Sequence, residues 1–394
     1  MDQGLESARR LRKFLDAVGE ELGNDRRKSS FAAYALGLLS DEERKTAEAI
    51  AVRSCTAADE ADAAHQRLHH FLVDAPWSDR EIRRFAARYA LSEVTAREPV
   101  QVAIIDDTGF LKKGTHSIGV QRQYTGTAGK VTNCQVAVSL TLASQTISVP
   151  VDFDLYLPES WTNDCARRHE ARIPPDVGFR TKTQIALQLL SRAQRDRLPL
   201  GVVLADSGYG NSSDFRQGLR DLDLDYAVEI VGTTVVGLVQ GDVIVEKLSA
   251  NELAARNAST GFRRISWREG TGHTLSARFA FFTVALDKLE HQLVIEWREG
   301  EATPNRFHVT TLDSSLPKEH IVHFLKQRWK TERIYQDLKG EVGLDHYEGR
   351  RYPGWHHHVS VALVCYAFLA AERARSFPPE GQRANQAQTF RAAV

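Results

Sequence analysis

Two short apolar runs that each end abruptly in aspartate constrain the fold most. The first, PVQVAIIDDTG, ends in Asp106 and Asp107, and the second, LPLGVVLADSGYG, ends in Asp206. Both runs have the apolar, β-branched composition of strands that are buried on both faces. Open α/β sheets place their ligand sites at the carboxyl ends of strands, so these aspartates are candidates for such a site. Aspartate also favours turns, which explains either position equally well when it is taken alone.

The residues around these two runs predict a mixed sheet. THSIGVQRQYTG and KVTNCQVAVSLTLAS have strand character with glycine-containing turns between them, which indicates antiparallel strands. TKTQIALQLLSRAQRD is amphipathic at helical spacing and precedes the second run. The predicted order is strand, strand, strand, helix, strand. This order indicates an α/β fold in which helices flank a mixed sheet.

The N-terminal part of the chain has helical spacing instead. Residues 1–95 predict a compact helical domain, which ends near Pro99. Ser40 and Glu43 fit a capping box before DEERKTAEAIAVRS, and Ser78 fits the N-cap of SDREIRRFAARYAL.

The second half of the chain changes pattern twice. From about 225 to 310 it is strand-like, and residues 317–340 and 354–374 return to helical spacing. The segment 376–394 has the composition of a flexible tail. At 394 residues the chain is too long for one ordinary core, so we expect two or three domains.

The overall charge neither supports nor excludes nucleic acid as a partner. The formal net charge is zero, so a nucleic-acid-binding chain of this kind must segregate its charges. One segment does so: residues 108–151 contain no Asp or Glu but include Lys112, Lys113, Arg122 and Lys130. This segment is a candidate for tracking a phosphate backbone, with a solvated hairpin face as the alternative.

Other composition features exclude several classes of protein. The cysteines lie far apart and form no CxxC pair, which argues against a zinc ribbon or a disulfide framework; they are Cys55, Cys134, Cys165 and Cys365. No apolar run approaches the roughly 18 residues that are needed to cross a bilayer. The segment MDQGLESARRLRKFL lacks the apolar core of a signal peptide, so we expect a cytoplasmic protein.

The segment FLKQRWKTERIYQDLKGEVGLDHYEGRRYPGWHHH concentrates charge on one helical face. On a helical wheel, Arg328, Glu332, Tyr335 and Lys339 fall at about 0°, 40°, −20° and 20°, within one narrow stripe. A simple ion pair four residues apart would explain Arg328 and Glu332. The position of Lys339 goes beyond such a pair. A carboxylate between two cations suits a site where the acid binds metal and the cations hold phosphates.

Three consecutive histidines follow in the same segment. Neighbouring residues on a helix point about 100° apart, so His356, His357 and His358 cannot all face one ion. We therefore predict surface or phosphate-side histidines and no metal site there.

Together these features resemble the RNase H-like catalytic core of DDE transposases and retroviral integrases. RWKTERIYQDLK contains RxxxExxxxxxK and resembles the signature of one branch of bacterial insertion-sequence transposases. DDTGFLKKGTHSIGVQRQY, VLADSGYG and GLDHYEGRRYPGWHHH also look like blocks of this family, and the resemblance covers roughly residues 30–372. In one departure, Leu325 stands where the broader signature has a tyrosine seven residues before the glutamate.

The resemblance implies a fold and a domain division. The expected fold is an RNase H-like catalytic core, with a mixed sheet flanked by helices, that a β-rich insertion interrupts and an N-terminal helical domain precedes. The expected parts are an N-terminal helical domain that binds DNA ends (1–95), the first part of the core (96–230), the insertion (231–310), the second part of the core (311–375) and a flexible tail (376–394).

The resemblance also implies the catalytic residues. Asp106, Asp206 and Glu332 would be the metal-binding carboxylates, holding two Mg²⁺ ions per active site, with Mn²⁺ as a substitute. Related cores commonly have Asp-x-Thr/Ser at the first strand end, which favours Asp106 over Asp107. A gapless alignment on DT favours Asp107 instead, so it stays an alternative.

Residues that contact DNA follow from the same resemblance. The expected DNA-binding residues are Arg328, Lys339, Lys112, Lys113, Arg122, Lys130, Tyr335, Arg350 and Arg351. Trp267 and Trp297 lie in the expected insertion, where related enzymes stack an extruded base on an aromatic ring. Packing within a β-sheet is the alternative for both tryptophans.

The function that the resemblance implies is DNA transposition. A transposase of this kind would cleave transposon ends and join them to target DNA. Its partners would be double-stranded DNA and a second copy of the chain in the synaptic complex, in the bacterial cytoplasm, nucleoid-associated and away from membranes. A domesticated, non-cleaving DNA-binding protein is the first alternative. A metal-dependent hydrolase of another class, such as a glycosidase with an Asp/Glu pair, is the second.

Overall fold

The computed structural model describes residues 2–55, 58–241, 243–269 and 274–376. The N-terminal part is helical, and its helices are α1 (Asp2–Glu21), α2 (Asp25–Leu39), α3 (Ala47–Arg53), α4 (Ala58–Val73) and α5 (Asp79–Thr95). The predicted tail lies outside the described residues, apart from Ser376.

The predicted start of α5 is confirmed and that of α3 is wrong. Ser78 caps α5, because its side chain accepts a hydrogen bond from the backbone N–H of Glu81. Ser40, by contrast, ends α2, and α3 begins six residues later than the predicted capping box, with Thr46 as its N-cap. Thr46 supplies the cap because its side chain accepts the backbone N–H of Ala49, and the buried ammonium group of Lys45 donates to the carbonyl of Leu38 near the end of α2.

The central part of the chain alternates strands and helices. Its elements are β1 (Val102–Leu111), β2 (Gln121–Thr125), β3 (Lys130–Ala143), β4 (Ser148–Tyr156), α6 (Glu159–Thr162), α7 (Cys165–Ala171), α8 (Lys182–Arg195), β5 (Val202–Ala205), α9 (Ser207–Gly210), α10 (Ser213–Asp221) and β6 (Tyr226–Ile230). The predicted order of three strands before the long helix is therefore wrong, because β4 is a fourth. Its Pro150 would interrupt an ordinary ladder, and a register shift opposite Leu140 and Thr141 accommodates it.

Strands and then helices complete the fold. These elements are β7 (Val235–Gln240), β8 (Val243–Ser249), α11 (Ala250–Arg256), β9 (Arg263–Glu269), β10 (Thr274–Leu286), β11 (Leu289–Trp297), β12 (Arg306–Thr310), α12 (Lys318–Leu325), α13 (Trp329–Gly340) and α14 (Tyr352–Ser376). The helix predicted over 317–340 is in fact two helices. Tighter i,i+3 turns at Gln327 and Lys330 replace the regular helical hydrogen bonds at the junction.

One mixed sheet contains all the strands named above. Its order is β2-β3-β1-β5-β6-β12-β11-β10-β7-β8, with β4 on β3 and β9 on β10. The pairs β1–β5 and β5–β6 are parallel, and the other pairs are antiparallel. The predicted fold class is confirmed: an α/β fold with an RNase H-like mixed sheet and a helical N-terminal part. Strands of the expected insertion extend the same sheet, since β12 pairs with β6.

The two faces of the sheet pack against different helices. On one face, Ile104 and Leu204 join an apolar cluster with Ile321, Val322 and Leu325 of α12. On the other, Ile105 and Val203 belong to the larger core that includes α5 and α14. Among the described helices, including the 25-residue α14, none combines the length and apolarity needed to cross a membrane.

The prediction that His356, His357 and His358 lie at the surface is wrong. All three are buried in α14, where they connect this helix to the N-terminal helices. His357 Nδ1 lies 2.7 Å from the carbonyl oxygen of Leu72, and His358 Nδ1 lies 2.8 Å from the hydroxyl of Tyr34. Burial lowers the pKa of both His356 and His358 to about 4, so these rings are neutral at physiological pH.

Candidate active site

The register of the parallel strands brings Asp106 and Asp206 to the same level. Ile104 of β1 pairs with Leu204 of β5, and the parallel pairing ends there. Each aspartate follows two residues later, so both lie where the strands separate at the carboxyl edge of the sheet. Asp206 also caps α9, because its Oδ1 accepts the backbone N–H of Gly208 at 2.9 Å. Asp206 therefore also forms the turn after its strand, which is the alternative explanation that the sequence offered for its position.

Glu229 also lies at this level, and it is not among the site residues predicted from the sequence. Ala205 of β5 pairs with Val228 of β6, so Glu229 is the neighbour of Asp206 across the parallel pair. Its Oε1 accepts a hydrogen bond from Arg306 Nη1 at 3.0 Å. A usable signal was present, because Glu229 stands near the end of the apolar run DYAVEIV, just as the aspartates end theirs.

Asp106 and Asp107 differ in their partners. Asp106 is 9% exposed, with its Oδ1 accepting the N–H of Asp107 at 2.8 Å and its Oδ2 accepting from Arg328 Nη1 at 2.9 Å. Asp107 Oδ2 accepts instead from Lys182 Nζ of α8 at 2.9 Å, and the hydroxyl of Tyr209 lies 3.4 Å away. The structure thus brings Asp106, and not Asp107, to the helix that carries Glu332.

Arg328 connects Asp106 to Glu332. Its second terminal nitrogen, Nη2, donates to Glu332 Oε1 at 3.0 Å. The Glu332 side chain is 57% exposed, whereas that of Arg328 is 27% exposed. Arg328 immediately precedes α13, so this pair occupies the first turn of the helix.

The rest of the predicted stripe on α13 runs along β1 and β3. The hydroxyl of Tyr335 lies 2.5 Å from Ser139 Oγ, and Ser139 is the β3 partner of Asp106. Lys339 Nζ donates to the carbonyl of Gly109 at 2.7 Å. Burial raises the pKa of Tyr335 well above its ordinary value and lowers the pKa of Lys339. The stripe therefore docks the helix on the strand that carries Asp106.

Burial and crowding of carboxylates weaken the acidity of Asp106. Removal from water raises its pKa to about 7, although the nearby charge of Arg328 acts in the opposite direction. The negative charge of Asp206 contributes to this raised pKa. A cation at this position would favour the ionised form of Asp106.

The chemistry of these side chains fits a hard divalent cation. Asp106, Asp206 and Glu332 offer only carboxylate oxygens, the donors that Mg²⁺ prefers. Within the described residues, no group of three or more His, Cys, Asp or Glu side chains stands ready to hold a metal ion. Mg²⁺ is usually bound by one or two carboxylates together with substrate phosphates, so a complete protein cage is not required.

A cavity of about 440 Å³ opens beside these carboxylates. Glu229, Arg328 and Glu332 line it together with Trp267 and Trp329. Further cationic side chains line the same cavity, namely Arg298, Arg306 and Lys326. These three cations are already paired with carboxylates that line the same cavity, Arg298 and Lys326 with Glu296 and Arg306 with Glu229. The aromatic rings beside these ion pairs suit stacking with a planar group.

The two tryptophans singled out in the sequence occupy different surroundings. Trp267 lines the cavity, and Lys326 Nζ lies 4.6 Å from the centre of its ring. Trp297 is not among the lining residues; its Nε1 donates to the carbonyl of Glu301 at 2.9 Å, and the guanidinium of Arg278 lies 3.8 Å from its ring centre.

The predicted DNA-contact residues fall into two groups. The exposed ones are Lys113, Arg122, Lys130 and Arg350. Others already have protein partners: Lys112 Nζ donates to the carbonyl of Tyr347 at 2.7 Å, and Arg351 Nη1 lies 3.4 Å from Asp74 Oδ1. Tyr335, Lys339 and Arg328 have the partners described above.

The fold and the strand-end carboxylates place the chain among α/β proteins with an RNase H-like sheet. The chain belongs to the family described as DDE superfamily endonuclease, whose profile matches residues 17–273. The prediction of a DDE-type family is therefore confirmed.

Individual relatives show how far the likeness extends. The chain is 34% identical over 205 residues to the probable transposase for insertion sequence element IS701 of Microchaete diplosiphon, in an alignment that covers 51% of this chain and 49% of that protein. The match thus spans about half the length of the relative. The NurA nuclease from Sulfolobus solfataricus is 13% identical over 61% of this chain and 80% of its own, with a TM-score of 0.23, which is too low to support an inference.

Proposed function

We propose that this chain is a DNA transposase that cleaves the ends of its transposon and joins them to target DNA. The observation that carries the proposal is the link from Asp106 through Arg328 to Glu332, next to Asp206, at the carboxyl edge of the sheet. Membership of an endonuclease family and the likeness to a probable transposase support the same activity.

In this proposal Asp106, Asp206 and Glu332 hold divalent cations, with two Mg²⁺ ions per site and Mn²⁺ able to substitute. When bound, such ions supply the positive charge that stabilises the attacking and leaving oxygens of a phosphodiester. The buried position of Asp106 and its shared level with Asp206 support this assignment. Arg328 and Lys339 would hold phosphates close to the scissile bond.

The proposed reaction has two steps. In the first, a water oxygen bonds to the phosphorus at the transposon end, the bond from phosphorus to the 3′ oxygen breaks, and a 3′-hydroxyl is freed. In the second, that hydroxyl oxygen bonds to a target phosphorus, and the 3′ oxygen of the target strand leaves with a proton. Both steps exchange one phosphorus–oxygen bond for another, so one set of carboxylates can serve both.

The DNA surface would include the exposed cations outside the catalytic edge. Lys113, Arg122, Lys130 and Arg350 are all exposed to solvent. Contacts of this kind add affinity without sequence specificity and weaken steeply as salt rises. We further propose the domain division given by the sequence, with DNA-end binding by 1–95, and a homodimer that brings two ends together.

Trp267 is the better candidate for stacking an unpaired base. It lines the cavity beside Arg328 and Glu332, whereas Trp297 is held by Glu301 and Arg278. Stacking on an aromatic ring is worth about 1–3 kcal/mol per base. A base that leaves the duplex near the scissile phosphate could therefore be held in this cavity.

A cleavage assay tests the proposal. Purified protein is mixed with a labelled duplex that carries the ends of its own element, with Mg²⁺ or with EDTA. We expect metal-dependent nicking at the end that is lost in Asp206→Asn and Glu332→Gln proteins with intact folding. Tight, salt-sensitive binding without cleavage under any metal would instead identify a domesticated DNA-binding protein. Cleavage at the wild-type rate by the Asp206→Asn protein would refute the catalytic assignment.

A further inference from the structure

Arg328 occupies oxygens that a metal ion would need. Its guanidinium donates to Asp106 Oδ2 at 2.9 Å and to Glu332 Oε1 at 3.0 Å, while Asp106 Oδ1 accepts the N–H of Asp107 at 2.8 Å. Both oxygens of the buried Asp106 carboxylate therefore already have partners. A divalent cation that binds Asp106 Oδ2 and Glu332 Oε1 together competes with the guanidinium for these oxygens, because two cations in one place repel each other.

We propose that Arg328 is an exchangeable counter-cation, which keeps metal from Asp106 and Glu332 until a DNA phosphate draws its guanidinium away. The proposal rests on the function proposed above. A guanidinium forms paired hydrogen bonds equally well with carboxylate and with phosphate, so a phosphate is a matched alternative partner. Arg328 would thereby make metal binding depend on DNA.

The position of Arg328 allows such an exchange. The residue lies at the junction between α12 and α13, and its side chain caps no backbone N–H of the helix. Its side chain is 27% exposed and lines the cavity of about 440 Å³, which Glu229 also lines. The guanidinium can therefore leave Asp106 by rotation about its own side-chain bonds, without movement of the sheet.

A thermodynamic consequence follows from the shared residue. If DNA removes Arg328 from the carboxylates, DNA tightens metal binding, and metal must tighten DNA binding by the same factor. Couplings between sites are typically about 5- to 150-fold. The catalytic edge would then acquire metal mainly on bound DNA, which restricts cleavage to ends that are already in place.

The first arm of the test uses no DNA. Terbium ions bind hard oxygen ligands, and Trp329, which lines the same cavity as Glu332, can sensitise their luminescence. Affinity is measured for the full chain, with Mg²⁺ as competitor. The Arg328→Gln protein is expected to bind terbium at least about tenfold more tightly than wild type. Equal affinities for the two proteins would overturn the proposal.

Two further variants control this arm. Lys182→Gln removes a cation that pairs with Asp107 at 2.9 Å on the opposite face, and it is expected to stay within about twofold of wild type. If Lys182→Gln gained as much terbium affinity as Arg328→Gln, the loss of any nearby positive charge would explain the gain, and the proposed exchange of Arg328 would be overturned. Arg328→Lys keeps the charge but cannot span both carboxylates, so intermediate affinity is expected even if the glutamine variant fails to fold.

The second arm adds a short duplex that carries the end of the element. Wild type should bind terbium about 5- to 150-fold more tightly with this duplex, and Arg328→Gln should gain little. An equal gain in both proteins would overturn the role of Arg328. The two proposals can fail separately. If the terbium affinities without DNA are as expected but the protein never cuts DNA, only the proposed transposase function is refuted. If the protein cuts DNA but wild type and Arg328→Gln bind terbium equally well without DNA, only the proposed exchange of Arg328 between carboxylates and phosphate is refuted.

Discussion

Asp106 and Asp107 are adjacent in the chain, but their carboxylates pair with different cations on opposite faces of the sheet. Asp106 accepts from Arg328 and Asp107 from Lys182, each at 2.9 Å. Successive side chains of a strand alternate between faces, so this separation follows directly from the strand conformation of β1. Only Asp106 shares the face on which Glu332 lies.

This arrangement predicts unequal effects of two matched substitutions. Asp106→Asn is expected to reduce end cleavage at least about 100-fold, because loss of a metal ligand should cost more than the 10- to 100-fold typical of its supporting residues. Asp107→Asn should retain cleavage within about tenfold, since its partner Lys182 lies on the other face. Initial nicking rates at saturating DNA, with thermal melts to confirm folding, measure both. A larger loss in the Asp107 variant would reverse the assignment.

The contact between Tyr335 and Ser139 gives a prediction about stability. Tyr335→Phe removes a hydroxyl that lies 2.5 Å from Ser139 Oγ, and it is expected to lower the free energy of unfolding by about 1 kcal/mol. Urea denaturation of Tyr335→Phe, Ser139→Ala and the double variant measures their coupling, which should be favourable because the two groups touch. DNA affinity should change little. Unchanged stability with weakened DNA binding would instead make Tyr335 a DNA-contact residue.

Part of the site could be predicted from local sequence. Asp106 and Asp206 each follow an apolar run, and Glu332 shares a helical stripe with Arg328; both patterns depend on neighbours within about two turns of chain. Glu229 also stands near the end of an apolar run, but its place beside Asp206 depends on the register between β5 and β6. Register is set by packing across the sheet, which a single segment does not contain.

Parts of the fold escaped prediction for related reasons. The strand β4 contains Pro150, which has no N–H to donate to a ladder, and a register shift in its pairing with β3 tolerates it. His357 and His358 of α14 are polar by type, but carbonyl and hydroxyl partners such as Leu72 and Tyr34 on the N-terminal helices satisfy their rings. Partners this distant in sequence leave no trace in the local pattern.

The different surroundings of the two tryptophans predict different losses. Trp267→Ala is expected to reduce end cleavage by about tenfold or more, the equivalent of one lost base-stacking contact, with a smaller loss of duplex binding. Trp297→Ala should mainly lower stability, because it removes the hydrogen bond to Glu301 and the packing against Arg278. Single-turnover cleavage and urea denaturation of both variants separate these effects. Equal cleavage losses at equal stability would contradict the assignment of Trp267 to the cavity.

Glu372 predicts how stability depends on pH. Its carboxylate accepts hydrogen bonds from Arg10, Ser7 and Arg375, and thereby joins α14 to α1. These bonds, those from Arg10 first, lower its pKa from 4.5 to about 2. Because the folded pKa lies below the unfolded one, the contribution of Glu372 is fully present above about pH 4.5 and is lost as the pH falls toward about 2.

Glu372→Gln should therefore lower the free energy of unfolding by about 1.5–3 kcal/mol at pH 7, the range for hydrogen bonds to a charged group. Its difference from wild type should shrink between pH 4.5 and pH 3, as urea denaturation at each pH can measure. Glu6→Gln is the matched control, because Glu6 contacts the same Arg10 at 3.7 Å but is 61% exposed, and it should cost at most about 0.5 kcal/mol. A Glu372→Gln deficit that stays constant from pH 7 to pH 3 would show that the carboxylate charge does not hold α1 against α14.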